Sequence, residues 1–222
     1  MIRLDRTEQR IVGTLIEKQL SVPDSYPLSE NALLDGCNQK SNRDPVTDLQ
    51  AFEIRGALMA LQEKGAVARV DGGGRVPRFR HRLVDELHLG NEELAILAEL
   101  LLRGPQAPGA LKPRVARMGF AASAERIEAV LHQLSQHSPP LVELLPQRPR
   151  ERDRRWCHRL GDGSEAAATS ATSAVVHATD AVTGLTEAPR DAMLETRVAA
   201  LEQKVAVLQD LVQQLGQRGV TG

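Results

Sequence analysis

The chain is predicted to be mainly helical with small β-hairpins, an α+β class, arranged as two repeated units, a linker and a helical tail. Three observations predict this. Apolar residues make up 41% of the 222 residues but aromatics only 2%, so any core must be built from Leu, Val, Ile and Ala, which suits small helical domains. Three helical segments are followed by two short strands around a Gly-rich turn, and that order then occurs again. Near the end, Leu and Val recur with heptad spacing.

The first helix is predicted from about Asp5 to Leu20. Asp5 is placed to cap it, and Glu8 lies three residues on, as in a capping box. Ile11, Val12, Leu15, Ile16 and Leu20 form one apolar stripe at helical spacing. After the loop SVPDSYP, a short second helix starts near Ser29, a good N-cap, and carries Ala32, Leu33 and Cys37 inward. The polar stretch GCNQKSNRDPV follows at 36–46. A third helix is predicted from PVTDLQ, with Thr47 and Gln50 at capping-box spacing, to Lys64, stopped by Gly65. Phe52, Ala57, Leu58 and Leu61 are its expected buried face. AVARVDGGGRVPRFRHR reads as two strands around a glycine turn, with Pro77 making the second strand an edge.

Three helices and a hairpin, in that order, are the plan of a winged helix-turn-helix domain. The second unit begins about 90 residues on, too few copies for a solenoid. Asn91 is expected to cap an apolar helix with Glu92 and Glu93 in its first turn, where acidic groups favour the dipole. That helix ends at RGP. A short helix near Pro108 to Met118, one capped by Ser123 and running to about His137, and the strands LVELL and RRWCHRL complete the unit. The expected organisation is a winged-helix domain over 1–87 and a second over 88–161. An Ala/Ser/Thr-rich disordered linker follows over 162–190, then a coiled-coil helix over 191–217. In the tail, Leu194, Leu201, Leu208 and Leu215 take position d and Val198, Val205 and Val212 take position a. β-Branched a with Leu d favours a parallel two-stranded coil, so a homodimer is expected. The alternative is an amphipathic helix docking on its own domain.

Composition narrows the function. A net charge of −1 and a pI near 6.6 leave nucleic-acid affinity to local patches rather than to overall attraction. The charged start lacks the apolar stretch of a signal peptide, and Leu94 to Leu102 is short and contains Glu99, so no membrane role is expected. Cys37 and Cys157 lie far apart and fit no metal spacing, which reads as reduced thiols in a cytoplasmic protein. No catalytic constellation, metal or cofactor is expected. DGGGR leads into a strand rather than a helix, so it reads as a hairpin turn and not a phosphate loop.

The motifs YPLSENALLDGCNQKSNRDPV, LLRGPQAPGALKPR and RVAALEQKV together resemble the YceH-like family of uncharacterised bacterial proteins, mostly over residues 3 to 160. The resemblance implies tandem winged-helix domains and assigns no activity. This chain has Ala107 and Ala110 where the family pattern leads one to expect a Thr cap and a Glu, and Pro113 falls within the second helix of that unit.

Two surfaces are candidates for binding. Arg78, Arg80 and Arg82 lie two apart in the second strand, with Arg75 at the turn, a row suited to phosphate. Its plainer reading is a charged edge strand that resists aggregation. In the 36–46 stretch, Lys40 and Arg43 offer charge, and Asn38, Gln39, Ser41 and Asn42 offer hydrogen bonds to bases, backbone or a peptide. Its plainer reading is turn closure. The third helices argue against base reading: Asp48, Glu53 and Glu63 oppose Arg55 and Lys64, and Glu125 and Glu128 oppose Arg126. The fold's commonest use and the arginine row point the same way, so the expected function is a non-enzymatic dimeric DNA-binding protein of regulatory type, with a protein–protein adaptor, favoured by the acidic third helices, as the alternative.

Overall fold

The computed structural model describes residues 2–70, 76–147, 149 and 151–162. The heptad positions Leu194 to Leu215, the expected linker after residue 162, and Arg75 lie outside the described residues. The described part is mixed α+β, with seven α-helices and small antiparallel sheets.

Helix α1 (Arg6–Ser21) starts as its sequence requires. The Asp5 carboxylate accepts from Glu8 N at 2.8 Å, and the Glu8 carboxylate accepts from Asp5 N at 2.7 Å. Buried Glu8 also receives Lys64 Nζ at 2.5 Å, which ties the start of α1 to the end of α3 (Ala51–Glu63). Strand β1 (Leu28–Ser29) leads into α2 (Glu30–Cys37), where Ser29 Oγ accepts from Ala32 N at 3.3 Å. Helix α3 begins three residues later than expected, at Ala51 rather than Asp48. Gln50 takes the cap position and receives the Glu53 carboxylate on its N–H at 2.8 Å, while Thr47 Oγ1 donates to Cys37 O at 3.1 Å. Two overlapping capping patterns compete here, and the tertiary bonds of Thr47 select the later one.

Strands β2 (Val67–Val70) and β3 (Arg78–His81) form the hairpin. The sheet order is β1-β3-β2, so β3 is the central strand and not an edge. Pro77 stands just before β3, where no ladder bond is asked of it. A short helix α4 (Leu83–Leu87), not anticipated from the sequence, joins the two halves.

The second half repeats the plan. Helix α5 (Asn91–Arg103) is capped at Gly90, whose N–H donates to Glu93 at 2.8 Å, so Asn91 is its first helical residue rather than its cap. Helix α6 (Pro108–Val115) contains Pro113 and tightens into a 3₁₀ turn over Ala116–Met118. Helix α7 (Ala124–Ser135) is capped by Ser123 Oγ, and β4 (Val142–Leu144) pairs with β5 (Trp156–His158). Gln106 bridges Trp156 from the other side of β5, at the place β1 takes beside β3. Buried Ile54, Leu58 and Leu61 of α3 are matched by buried Ile127, Leu131 and Leu134 of α7. Arg78, Phe79, His81, Arg82 and Leu83 are matched in order by Arg155, Trp156, His158, Arg159 and Leu160.

The two halves share one continuous apolar core. Helix α1 lies against α5 so closely that a Cβ on Gly13 would stand 2.9 Å from Leu102 Cγ. Gly36 likewise admits α2 to α1, since its Cβ would meet Thr14 Cγ2 at 2.7 Å. The first and last described segments also pair: Leu4 N donates to Leu160 O at 2.8 Å, and Asp162 N donates to Leu4 O at 3.1 Å.

Two helix-interior glycines therefore respond oppositely to substitution. Gly13→Val is expected to lose about 1–3 kcal/mol by overpacking. Gly56→Ala, with nothing within 4 Å of its Cβ position, is expected to gain roughly 0.5–1 kcal/mol in helix propensity. Urea unfolding of the two variants checks both signs.

Candidate interaction surface

The 36–46 stretch turns its chemistry inward. Asn38 ends α2 and clamps the chain before α3: its Nδ2 donates to Leu49 O and its Oδ1 accepts from Leu49 N, both at 2.8 Å. Asn42 takes a left-handed φ of 58°, a conformation that Asn tolerates better than most residues. That turn sends Arg43 into the protein, where it is only 4% exposed. Arg43 Nη2 donates to Glu17 Oε2 at 2.6 Å and Nη1 to Glu17 Oε1 at 3.3 Å, the two-pronged geometry at which Arg excels. Its remaining donors meet Gly36 O, Asn42 O and Gln39 Oε1 at 2.8 to 3.0 Å.

The next residues reach further. Asp44 N donates to Leu102 O of α5 at 3.1 Å, and Arg10 Nη2 donates to Pro45 O at 2.5 Å. The stretch therefore joins α1, α2 and α5. Arg43, expected to meet phosphate, does not reach solvent. Asn38 is held by Leu49 and Gln39 by Arg43. Lys40 and Ser41 face solvent, and Asn42 shapes the turn.

The arginine row is shorter than expected. Arg78 and Arg80 alternate with buried Phe79 and His81 on β3 and face solvent together. Arg78 Nη1 donates to Pro27 O at 2.7 Å, and Arg80 lies 3.3 Å from Asp85. Arg82 falls beyond the strand, half-buried at the start of α4, and pairs with Glu86 at 3.0 Å. It does not continue the row.

The surface that sequence reading missed is on α3. Phe52, expected in the core, is 72% exposed, and Met59 is 60% exposed. With Gly56 between them they form one outward stripe at helical spacing. The signal was present in the period: Ile54, Leu58 and Leu61 define the inward face, and Phe52 lies two residues, about 200°, from Ile54. Val46 adds exposed apolar area in the segment that leads to α3. Arg55 is occupied by Glu30 at 2.8 Å. In α7 the positions matching Phe52, Gly56 and Met59 hold Glu125, Ala129 and His132.

Buried ionisable groups behave as parts of the core. Burial pushes the Cys37 thiol up to about 11, so it is a protonated apolar filler rather than a nucleophile. Burial pushes the Tyr26 hydroxyl up to about 12, and that oxygen accepts from His81 N at 2.9 Å. Burial, reinforced by Arg80 and opposed by Asp85, lowers His81 to about 4. Among the described residues no group of His, Cys, Asp and Glu could hold a metal ion, and no helix is long and apolar enough to cross a membrane.

The class so defined is a mixed α+β protein of two repeated helix–hairpin halves on a shared core. The chain belongs to the family described as "Protein of unknown function, DUF480", which it matches over residues 4–151, in agreement with the resemblance drawn from its motifs. UPF0502 protein GSU0233 of Geobacter sulfurreducens is 45% identical over 172 residues, covering 78% of each chain. A UPF0502 protein of Geotalea daltonii is 46% identical over 167 residues, covering 75% of this chain and 77% of its own. One from Hahella chejuensis is 43% identical over 171 residues, covering 75% and 78%.

Two measurements follow from these environments. Removing Arg43 strands the nearly buried Glu17, so Arg43→Ala is expected to cost about 3–5 kcal/mol, whereas Lys40→Ala is expected to fall within about 0.5 kcal/mol of zero; chemical denaturation of both variants checks the contrast. His81 is neutral in both folded and unfolded chains above its ordinary value of 6.5. Below that, the unfolded chain takes the proton first, so stability falls between pH 6.5 and about 4. The loss is expected to reach roughly 3 kcal/mol. Stability curves against pH should be flatter over that window in His81→Leu; identical slopes would show that His81 is not a source of the acid sensitivity.

Proposed function

We propose that this protein is a non-enzymatic, tandem winged-helix protein of regulatory type, cytoplasmic and dimeric through its C-terminal heptads, that acts as an adaptor by meeting a protein partner on the outward face of α3. The exposed Phe52–Gly56–Met59 stripe carries this reading. In winged-helix readers of DNA the third helix lies between two rows of phosphates and needs cations and hydrogen-bond donors on its outer face. Here that face offers a phenyl ring, a thioether and a bare glycine, with exposed Glu63 on the same stripe and Arg55 beside it, its charge paired with Glu30 at 2.8 Å. Full burial of a Phe or Met side chain contributes roughly 1.5–3 kcal/mol, so two such anchors supply a useful share of a binding energy.

DNA binding of regulatory type is the second reading, favoured by Arg78 and Arg80 side by side on the open face of the sheet. It requires affinity that falls steeply with salt.

Purifying the full chain from cells with and without nuclease, beside the variants Phe52→Ala/Met59→Ala and Arg78→Ala/Arg80→Ala, separates the two. The adaptor reading expects a defined protein partner that survives nuclease and is lost in the first double variant. Duplex binding that weakens with salt and is lost only in the second would transfer the function to DNA.

A further inference from the structure

The second half leaves open a place that the first half fills. The residue before the cap of α3 is Leu49, packed against the core and clamped by Asn38. Its counterpart before the cap of α7 is Ala122. The segment joining α6 to α7 is also shorter, spanning 116–123 against 38–50 in the first half. Beside Ala122 lies an open hollow of about 460 Å³, bounded by Lys112, Pro113, Ala116, Ala121, Ala122 and Ser123. That volume falls within the roughly 300–1,000 Å³ of small ligand sites.

Its chemistry is asymmetric. The floor is methyl groups and a proline ring, which reward an aliphatic side chain but offer phosphates nothing. Lys112 is the charged residue among those that bound it, and Arg114 and Arg117 lie beside it in the segment 108–118, which contains no acidic residue. Arg114 is held by Gln106, whereas Lys112 and Arg117 stand exposed. The exposed Glu125 carboxylate, at the start of α7, is held below its ordinary range chiefly by its hydrogen bond with Ser123, with Lys112 a lesser contributor.

We propose that this hollow docks a short acidic peptide segment of a partner protein, with an aliphatic side chain seated on Ala116, Ala121 and Ala122 and flanking carboxylates meeting Lys112 and Arg117. The site is separate from the α3 stripe and stands without it. Its test uses the full chain and a fluorescein-labelled peptide of two leucines flanked on each side by two aspartates.

Saturable binding is expected, at least tenfold weaker for the same peptide with asparagines. Ala122→Leu gives the second half the residue that the first already carries. It is expected to weaken binding tenfold or more with an unchanged or raised melting temperature. Lys112→Glu with Arg117→Glu is expected to switch preference to a lysine-flanked peptide, and this arm decides the matter if the filled variant folds poorly. No saturable binding, equal binding of the asparagine peptide, or indifference to both variants would overturn the proposal. So would a short DNA duplex that displaces the peptide and loses affinity in the charge-reversed variant, which would assign the rim to phosphate.

Discussion

The structure depends on where the Arg43 guanidinium sits. Its charge is matched by Glu17 at 2.6 Å, and its other donors close on Gly36, Asn42 and Gln39. A buried pair of this kind adds little net stability over apolar packing but penalises heavily any arrangement that separates the partners. It therefore acts as a register pin. With Glu17 on α1 and Gly36 at the end of α2, the backbone from Asn42 to Pro45 has one place to run. In that place Asp44 reaches Leu102 of α5, and Pro45 receives Arg10. The two glycines at the seams, Gly13 and Gly36, remove the side chains that would hold the helices apart. The polar stretch that looks like a solvent loop is thus an internal strut between the repeats.

A strut there changes what the outer surface is for. With Asn38, Gln39 and Arg43 engaged within the protein, the stretch itself has only Lys40 and Ser41 left to offer a nucleic acid. Facing outward are Phe52, Gly56 and Met59 with Arg55 on α3, Arg69, Arg78 and Arg80 on the sheet, and Lys40 and Ser41 in the turn. In the second half the matching helix face is Glu125, Ala129 and His132, and the open feature lies instead between α6 and α7. The repeats keep the same inward residues and diverge outward. Two similar scaffolds thereby present two different surfaces.

The elements were legible because their signals are local. Asp5 with Glu8, Ser29 and Ser123 cap the helices they were expected to cap, and Gly65 and Gly104 close helices with positive φ. Three of the misreadings involve partners distant in sequence. Thr47 has sound capping spacing, but Cys37 and Asn38 claim its hydroxyl. Pro77 marks an edge only if nothing pairs beyond it, and β1, some 50 residues earlier, supplies the missing neighbour. Arg43 reads as a surface cation until Glu17, a helix away, is seen opposite it. Phe52 is a different failure: its place in the helical period was readable, and size and apolarity alone put it in the core. The heptad reading of the tail and the placement of Arg75 lie outside the described residues.

Through the α1/α5 seam and the strut, the repeats fold as one body. The chain has a single tryptophan, Trp156, buried in the second half, whereas helices in both halves report by circular dichroism. Equilibrium urea unfolding of the full chain, followed by Trp156 fluorescence and by ellipticity at 222 nm, shows whether the repeats do. Coincident transitions with one midpoint are expected. A tryptophan transition clearly separated from the loss of helix, and still separated in a chain cut after residue 162 so that the tail contributes no ellipticity, would mean that the halves unfold independently, and would contradict folding as one body.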